Sequence, residues 1–379
     1  MKIGIDARFF GPGGKGLGRY SQKLVEELEK VDYANQYVVF LTKENWDLYQ
    51  PKNPNFKKAL ADVRWYTLDE QLQMPKILNK YNLDLVHFLH FNVPVMYRKP
   101  FVVTIHDLIL LEYPTRKASK LGTVMYWIKN FAYRRVISFA ARGSERVIAI
   151  SEYTKQAVMR QFGITESKVD MIYEGVDLEK FNPVNKEPFD FEKVGVEKGN
   201  YLMYVGNAYP HKNIDGLIRG FQELIGREGI DPNLKLVIVG KTDYFFQQLI
   251  DLANELGLSD RIVFPGFVPD EEMIDLFENT AAYVFPSFYE GFGLPPLEAM
   301  AMGAPILLSN RTCLPEIFGE SAEYFDPGNS GELVDAMERM LKDPSIAERQ
   351  KQFIEPTLAK YSWEQMAKET VDVYNKSVK

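Results

Sequence analysis

Residues Phe285–Pro305 read FPSFYEGFGLPPLEAMAMGAP. An apolar strand end runs into a glycine-rich turn, and a helix opens at Leu294. Gly291 and Gly293 leave backbone N–H groups uncrowded just before that helix. Pro295 and Pro296 fall in its first turn, where a missing N–H costs nothing. Gly303 then ends it. Strand, tight turn and helix form the repeating unit of parallel α/β sheets. Free N–H groups together with the helix dipole make an anion site. Two carboxylates bracket the turn, Glu290 before it and Glu298 inside the helix. Beside a phosphate they would repel it unless they point elsewhere, and they are suited to accept hydrogen bonds from sugar and ribose hydroxyls. A lone turn of this kind also occurs in ordinary strand–loop–helix units, so the rest of the chain has to decide.

The same alternation extends in both directions. Short apolar runs predict strands at Lys2–Asp6, Tyr37–Leu41, Val63–Tyr66, Leu83–Leu89, Phe101–His106, Arg146–Ile150 and Val169–Tyr173. Later runs predict them at Tyr201–Gly206, Leu234–Gly240, Arg261–Phe264, Ala282–Phe285, Pro305–Leu308 and Glu323–Phe325. Continuous apolar runs suit parallel strands covered on both faces. Helical spacing intervenes at Arg19–Lys30, Asn213–Leu224, Phe245–Leu256, Asp270–Asn279, Leu294–Met302 and Ser330–Leu341. The pattern breaks over Val176–Asn200, a stretch with Pro183, Pro188 and mixed charges that reads as a linker. The expected fold class is therefore α/β, with two Rossmann-like doubly wound domains facing across a cleft. The domains are residues 1–180 and 181–360. A C-terminal helix over 361–379, started by Ser362, packs back on the first domain in this reading.

Composition fits. The chain has 379 residues, 46% hydrophobic and 26% charged, an ordinary globular mix with material for two cores. No apolar run approaches the ~20 residues of a spanning helix. The N-terminal segment lacks the apolar stretch of a signal peptide, and the single cysteine, Cys313, implies no disulfide framework. A cytoplasmic protein is the expectation. Charge is uneven: residues 1–175 hold 26 Lys and Arg against 18 Asp and Glu, and the remainder holds 19 against 34. Such a contrast suggests different partners for the two halves, or merely surfaces that vary. Arg116–Arg146 carries eight basic residues and one acidic residue, Glu145, with Tyr126, Trp127, Phe131, Tyr133 and Phe139 interleaved. A basic helix with aromatics can lie peripherally on the inner face of an anionic membrane; the other reading is a domain helix with a solvated basic face. Nucleic acid is not expected, because the acidic second half would repel a polyanion.

Tyr201–Asp215, YLMYVGNAYPHKNID, gives a second strand–glycine–helix passage. His211 and Lys212 lie at the mouth of a helix that Asn213 is placed to cap. A lysine there suits a diphosphate leaving group as its charge grows. The two histidines of VHFLHF, His87 and His90, are three apart and point to opposite faces of a strand, so they do not share a metal. No other cluster has metal-ligand spacing.

The Glu290-x7-Glu298 spacing within EGFGLPPLEAMAMGAP resembles the signature of glycosyltransferase family 4. The strand–Gly206–Lys212–Asn213 passage is similar to that family's phosphate-gripping element. GIDARFF…GGKGLGRY, TIHD and AISEYT resemble its N-terminal segments, so the similarity spans essentially the whole chain. The resemblance implies the GT-B fold and retaining hexosyl transfer from a nucleotide-diphosphate sugar to a saccharide or lipid-linked acceptor, without metal or separate cofactor. GDP-mannose is the favoured donor, followed by UDP-hexoses. It further implies that Glu290 holds the hexose and Glu298 the ribose, and that Lys212 binds the diphosphate. Phe292, Gly293 and Leu294 offer backbone groups to sugar and phosphate, and the turn Gly266–Val268 lies against the base. His106 approaches the donor sugar, so the catalytic set is His106, Lys212 and Glu290. The loop Gly11–Gly18, with Gly14 and Gly16, precedes a helix from about Arg19 and either approaches a phosphate closely or is a plain flexible loop. One departure stands out: many members carry Arg where this chain has Asn207, which leaves Arg19 or His211 to supply the missing cation. Two rival functions share the architecture, a nucleotide-sugar 2-epimerase and a catalytically silent nucleotide-sugar-binding protein.

Overall fold

A computed structural model describes residues 1–114, 123–177, 190–192 and 194–378. Most of the expected linker, and Arg116, Lys117 and Lys120, lie outside the described residues. The chain divides into two compact units, one of Met1–Glu112, Ser119–Gly175 and Tyr361–Lys379, the other of Tyr113–Ala118 and Val176–Lys360.

The first unit carries strands β1 (Lys2–Asp6), β2 (Gln36–Leu41), β3 (Phe56–Leu60), β4 (Leu85–Phe88), β5 (Phe101–Ile105), β6 (Arg146–Ala149) and β7 (Val169–Met171). They form one parallel sheet in the order β3-β2-β1-β4-β5-β6-β7. Its helices are α1 (Lys15–Val31), α2 (Leu68–Asn79), α3 (Ile109–Glu112), α4 (Thr123–Gly143) and α5 (Glu152–Phe162), joined by the C-terminal helix. Alternate residues of each strand sort into two cores. Ile3, Ile5, Val39, Leu41, Leu85, Val102 and Ile148 pack on one face, and Val38, Phe40, Val86, Phe88, Val103 and Val147 on the other. Both sides of the sheet are therefore covered, as continuous apolar runs require.

The second unit carries α6 (Ile214–Leu224), α7 (Tyr244–Glu255), α8 (Asp270–Glu278), α9 (Leu294–Ala301), α10 (Leu314–Phe318), α11 (Ser330–Lys342) and α12 (Pro344–Leu358). Its strands are β8 (Tyr201–Val205), β9 (Lys235–Val239), β10 (Ile262–Gly266), β11 (Ala282–Phe285), β12 (Ile306–Ser309) and β13 (Glu323–Phe325). They too form a parallel sheet, in the order β10-β9-β8-β11-β12-β13. The α/β, doubly wound expectation is thus what each unit shows. Strand order reverses between β1 and β4 in one sheet and between β8 and β11 in the other. Crevices at such reversals, outside the carboxyl ends of the strands, are where open α/β sheets bind ligands.

The C-terminal helix, α13 (Trp363–Ser377), belongs to the first unit. Ser362 caps it by accepting the Gln365 N–H. Trp363, Met366, Ala367, Val373 and Tyr374 are buried in the core that also takes Tyr20, Leu24, Val25 and Leu28 of α1.

Three expectations need correction. Val63–Tyr66 is not a strand; β3 lies earlier, at Phe56–Leu60. Arg8 donates to the Val63 carbonyl at 2.9 Å, and Tyr66 has a left-handed φ of 61°, which breaks any ladder there. Helix α1 starts at Lys15 rather than near Arg19, so Gly16 and Gly18 lie inside it. Asn213 precedes α6 in a left-handed conformation without a side-chain cap; its amide donates to the Pro327 carbonyl instead, at 3.3 Å.

Candidate active site

In the second unit the chain leaves β8 through Gly206 and leaves β11 through the stretch to Glu290. The strands are neighbours at the reversal, so the two exits meet. The Phe288 N–H donates to the His211 carbonyl at 2.7 Å and ties the loops together. Across them the Lys212 ammonium donates to Glu290 Oε1 at 2.6 Å. Both side chains are largely buried, at 12% and 10% exposure, and the ammonium also stands 5.2 Å from the Phe285 ring centroid. The arrangement brings together two residues that are 78 positions apart in sequence.

Glu290 is held from behind. Its N–H donates to Thr312 Oγ1 at 3.1 Å, and the Cys313 thiol donates to the carbonyls of Glu290 and Phe292. Burial, then the Glu290 and Glu316 charges, push that thiol well above the usual range. Cys313 is a neutral donor here, not a nucleophile.

Gly293 opens α9 with φ 106°, and an added Cβ would meet Leu314 at 3.0 Å and Phe318 at 3.3 Å. Only glycine combines that backbone with that contact. Pro295 and Pro296 have no N–H, and the Leu297 N–H is spent on the Gly293 carbonyl at 3.3 Å. The amides that α9 offers an anion are therefore those of Gly293 and Leu294. Phe292 is buried beneath them. Glu298 sits half-buried in the second turn. The buried Tyr283 phenol on β11 is pushed far up by its burial, then by Tyr204, Glu290 and Glu298. Both carboxylates thus lie within electrostatic reach of one hydroxyl.

His211 is pushed down to about 4, first by burial and then by Lys212. It is a neutral imidazole near pH 7 and does not replace the cation missing at Asn207. Asn207 uses its side-chain oxygen on the Tyr209 N–H at 3.4 Å. A cation overlooked in the sequence is Lys241, exposed two residues past the end of β9. The preceding Gly240 backs onto the Gly206 carbonyl so closely that a Cβ would come within 2.3 Å, which brings the backbone just before Lys241 against the β8 exit. A lysine directly after a strand-ending glycine was the available signal.

Gly266 closes β10 with φ 77°. Val268 is buried, whereas Phe267 is 79% exposed. The side chain this turn presents is Phe267, a second residue overlooked, since exposure of one aromatic in GFV is invisible in sequence.

In the first unit, Gly14 packs on the Phe9 carbonyl, where a Cβ would come within 2.1 Å; Gly16 faces open space in the first turn of α1. His106 follows β5. Its Nδ1 lies 3.1 Å from Glu174 Oε1 and its Nε2 2.9 Å from the Leu89 carbonyl, with Tyr20 edge-on at 4.6 Å. His87 is engaged by Tyr374 at 2.7 Å and Thr104 at 2.8 Å, and His90 by Asn92 at 2.9 Å. Burial, then His106, lowers both to about 3. Among the described residues no group of three or more His, Cys, Asp or Glu side chains is placed to hold a metal ion.

Comparison with known proteins gives two family matches. Residues 14–180 match the model described as Glycosyltransferase Family 4, and residues 185–357 match that of Glycosyl transferases group 1. An O-antigen chain mannosyltransferase of Salmonella typhimurium is 24% identical over 368 residues, covering 94% of each chain. An uncharacterized glycosyltransferase of Methanocaldococcus jannaschii is 31% identical over 302 residues, 76% of this chain and 73% of the relative. Among solved structures, sucrose-phosphate synthase from Thermosynechococcus elongatus superposes with a TM-score of 0.77 at 19% identity, covering 99% of this chain and 98% of that one.

Proposed function

The chain belongs to the group 1 glycosyltransferases of family 4, and from that premise we propose that it moves a mannosyl residue from a nucleoside-diphosphate donor to a saccharide or lipid-linked acceptor, with retention at the anomeric carbon. Mannose is favoured by the relative that is an O-antigen chain mannosyltransferase over nearly its full length.

The observation that carries the reading is the Lys212–Glu290 pair at the meeting of the two loops. A buried pair cannot lose one partner cheaply. A donor that offers a diphosphate to Lys212 and sugar hydroxyls to Glu290 exchanges both partners at once and leaves neither charge bare. Lys212, with the Gly293 and Leu294 amides, then stabilises the charge that grows on the leaving diphosphate. Lys241 supplies the second positive charge that Asn207 does not. Glu298 holds the ribose, and the Phe267 ring offers a face for the base. In the first unit His106, engaged by Glu174 and the Leu89 carbonyl, is assigned a catalytic role. The reaction needs no metal in this reading, because lysine and helix terminus supply the charge. The acceptor proton passes to the leaving diphosphate, so the protein contributes positioning and electrostatics.

The test is donor hydrolysis without acceptor, across GDP-mannose, UDP-glucose and UDP-N-acetylglucosamine. Slow release of mannose from GDP-mannose, abolished by Lys212→Ala, is expected. Turnover of none of the three, with nucleotide binding intact, would contradict a working transferase site.

A further inference from the structure

We propose that Tyr66 and His90 form a subsite for an uncharged sugar ring of the acceptor, at the carboxyl ends of β1 and β4. That the sugar belongs to the acceptor rests on the proposed function; the subsite itself does not. Its frame starts in the sequence. Thr67-Leu68-Asp69-Glu70 is a capping box, and Thr67 Oγ1 accepts the Glu70 N–H at 3.2 Å where α2 begins. The Glu70 side chain reaches back one residue further than such a box requires, so that Oε2 accepts the Tyr66 N–H at 2.8 Å. Its Oε1 accepts from the Arg8 guanidinium at 2.6 Å and from the Asn92 amide at 2.6 Å. Arg8 is in turn paired with Asp6 through two nitrogens, at 2.7 Å each. One buried carboxylate thus joins the exits of β1 and β4 to the turn before α2. It holds Tyr66 at φ 61°, a conformation that a bulky side chain keeps only where its surroundings impose it.

The frame also fixes a proton. Because the Asn92 amide nitrogen donates to Glu70, it is Asn92 Oδ1 that faces His90 Nδ1, at 2.9 Å. Nδ1 therefore carries the hydrogen and donates it. The Tyr66 hydroxyl oxygen, 3.3 Å from the same nitrogen, accepts that hydrogen as a second partner and keeps its own proton to give. His90 is 8% exposed, and burial, then His106, lowers it to about 3. Near pH 7 the ring is neutral and Nε2 bears a lone pair. The hydrogen bonds of His90 among the described residues run through Nδ1. The sealed side-chain atoms without a partner among those residues are Ser287 Oγ and Trp363 Nε1, so Nε2 is open to a ligand.

This pairing selects the ligand. A lone pair beside a hydroxyl hydrogen complements the hydroxyls of a sugar, each of which both gives and takes a hydrogen bond. The Tyr66 hydroxyl is turned inward to His90 while its ring is 58% exposed, which leaves an aromatic face for the apolar face of a pyranose. Half-buried Trp65 stands beside it, 4.5 Å from the Phe9 ring. An anionic group is disfavoured by the same residues. An unprotonated nitrogen repels it, and the Arg8 charge is already matched by Asp6 and Glu70. Burial, then the Glu70 and Asp107 charges, push the Tyr66 phenol up, so the local field is negative. The position agrees, since strand order reverses between β1 and β4 and open α/β sheets bind ligands at such crevices.

The experiment uses the full chain, with methyl α-mannopyranoside and methyl α-glucopyranoside as uncharged probes and mannose 6-phosphate as the charged one. Saturation-transfer NMR gives their affinities. Long-range nitrogen–proton correlation on protein labelled at its four histidines reads the tautomer, and His90→Gln identifies the His90 signals by their loss. The expected result is hydrogen on His90 Nδ1, an Nε2 signal that shifts when an uncharged probe binds, and preference for at least one uncharged probe over mannose 6-phosphate. Tyr66→Ala should weaken that probe about fivefold or more and keep the wild-type thermal midpoint, since the ring is exposed. Tyr66→Phe, which keeps the ring and loses the hydroxyl, should fall between the two. The proposal is overturned if the hydrogen sits on Nε2, if neither uncharged probe binds, if mannose 6-phosphate binds more tightly than both, or if both Tyr66 variants bind as wild type does. None of these readouts involves the donor. Wild type that hydrolyses GDP-mannose but fails here loses the subsite alone, whereas wild type that binds the probes but hydrolyses no donor keeps the subsite and loses the proposed transfer.

Discussion

At the scale of residues, the Lys212–Glu290 pair changes what a substitution should do. From its place at a helix mouth, Lys212→Ala reads as a pure loss of activity, on the order of 3 kcal/mol or ~100-fold in rate. The structure adds a stability cost. Removing Lys212 leaves Glu290 buried without its partner, which typically costs about 3–5 kcal/mol. The double variant Lys212→Ala, Glu290→Gln should therefore regain much of the denaturant midpoint lost by Lys212→Ala while remaining inactive. Equal midpoints for wild type and Lys212→Ala would mean that the pair carries no weight. The carboxylates should separate as well. Glu298→Gln should weaken binding of GDP, whereas Glu290→Gln should hurt sugar transfer while leaving GDP binding intact or tighter, since Lys212 is released to the diphosphate. Calorimetry with GDP checks this, and the same loss of affinity in both variants would merge the two roles. The individual candidates were legible in sequence because helix-mouth chemistry is local. Their ion pair was not, because two loops 78 residues apart meet only through strand order. The exposure of Phe267 and the neutrality of His211 escaped for the same reason: burial is a property of the folded neighbourhood.

Secondary-structure elements were legible where burial is complete and obscure where it is partial. The central strands read as unbroken apolar runs, and burial on both faces explains why. Strand β3 was missed because FKKAL, on the sheet edge, mixes buried and exposed positions without a continuous apolar run and carries two lysines, as edge strands do. Val63–Tyr66 was mistaken for it because Val63 and Trp65 are apolar for the sake of the core and the aromatic cluster, not for a ladder. The helix elements carry two predictions. Gly293→Ala places a side chain at φ 106° against Leu314; strain of this kind costs on the order of 1–3 kcal/mol, and GDP affinity should fall with it. Unchanged stability and affinity would show that the α9 entrance is not specified by glycine. The second concerns His87, which links β4 to α13 through Tyr374. Burial lowers its folded value to about 3. Below pH ~6.5 the unfolded chain takes up a proton at this ring that the folded one refuses. Stability should therefore fall as pH drops from ~6.5 toward 3, by up to ~1.4 kcal/mol per pH unit for this ring. His87→Gln should reduce the pH dependence of the unfolding midpoint between pH 7 and 5, the remainder coming from His90 and His211, which burial lowers as well. A parallel slope in wild type and variant would contradict the assignment.

For the whole molecule, the sequence carried the fold class because two sets of alternating strands and helices leave few architectures open. It carried the charge contrast too, but not where the charge sits: the structure shows basic side chains on α4 beside exposed rings, an arrangement that composition alone does not give. The absence of a metal from the proposed mechanism is checked by chelation. Activity should survive EDTA, and loss restored by magnesium or manganese would require a cation that Lys212 and α9 do not replace. The central claim, retaining mannosyl transfer at the Lys212–Glu290 site, is met most directly by proton NMR of the sugar first released from GDP-mannose, recorded before the anomers equilibrate. The account predicts α-mannose, the configuration of the donor, in wild type and none in Lys212→Ala. Release of β-mannose first, or of α-mannose at the same rate from both proteins, would contradict it.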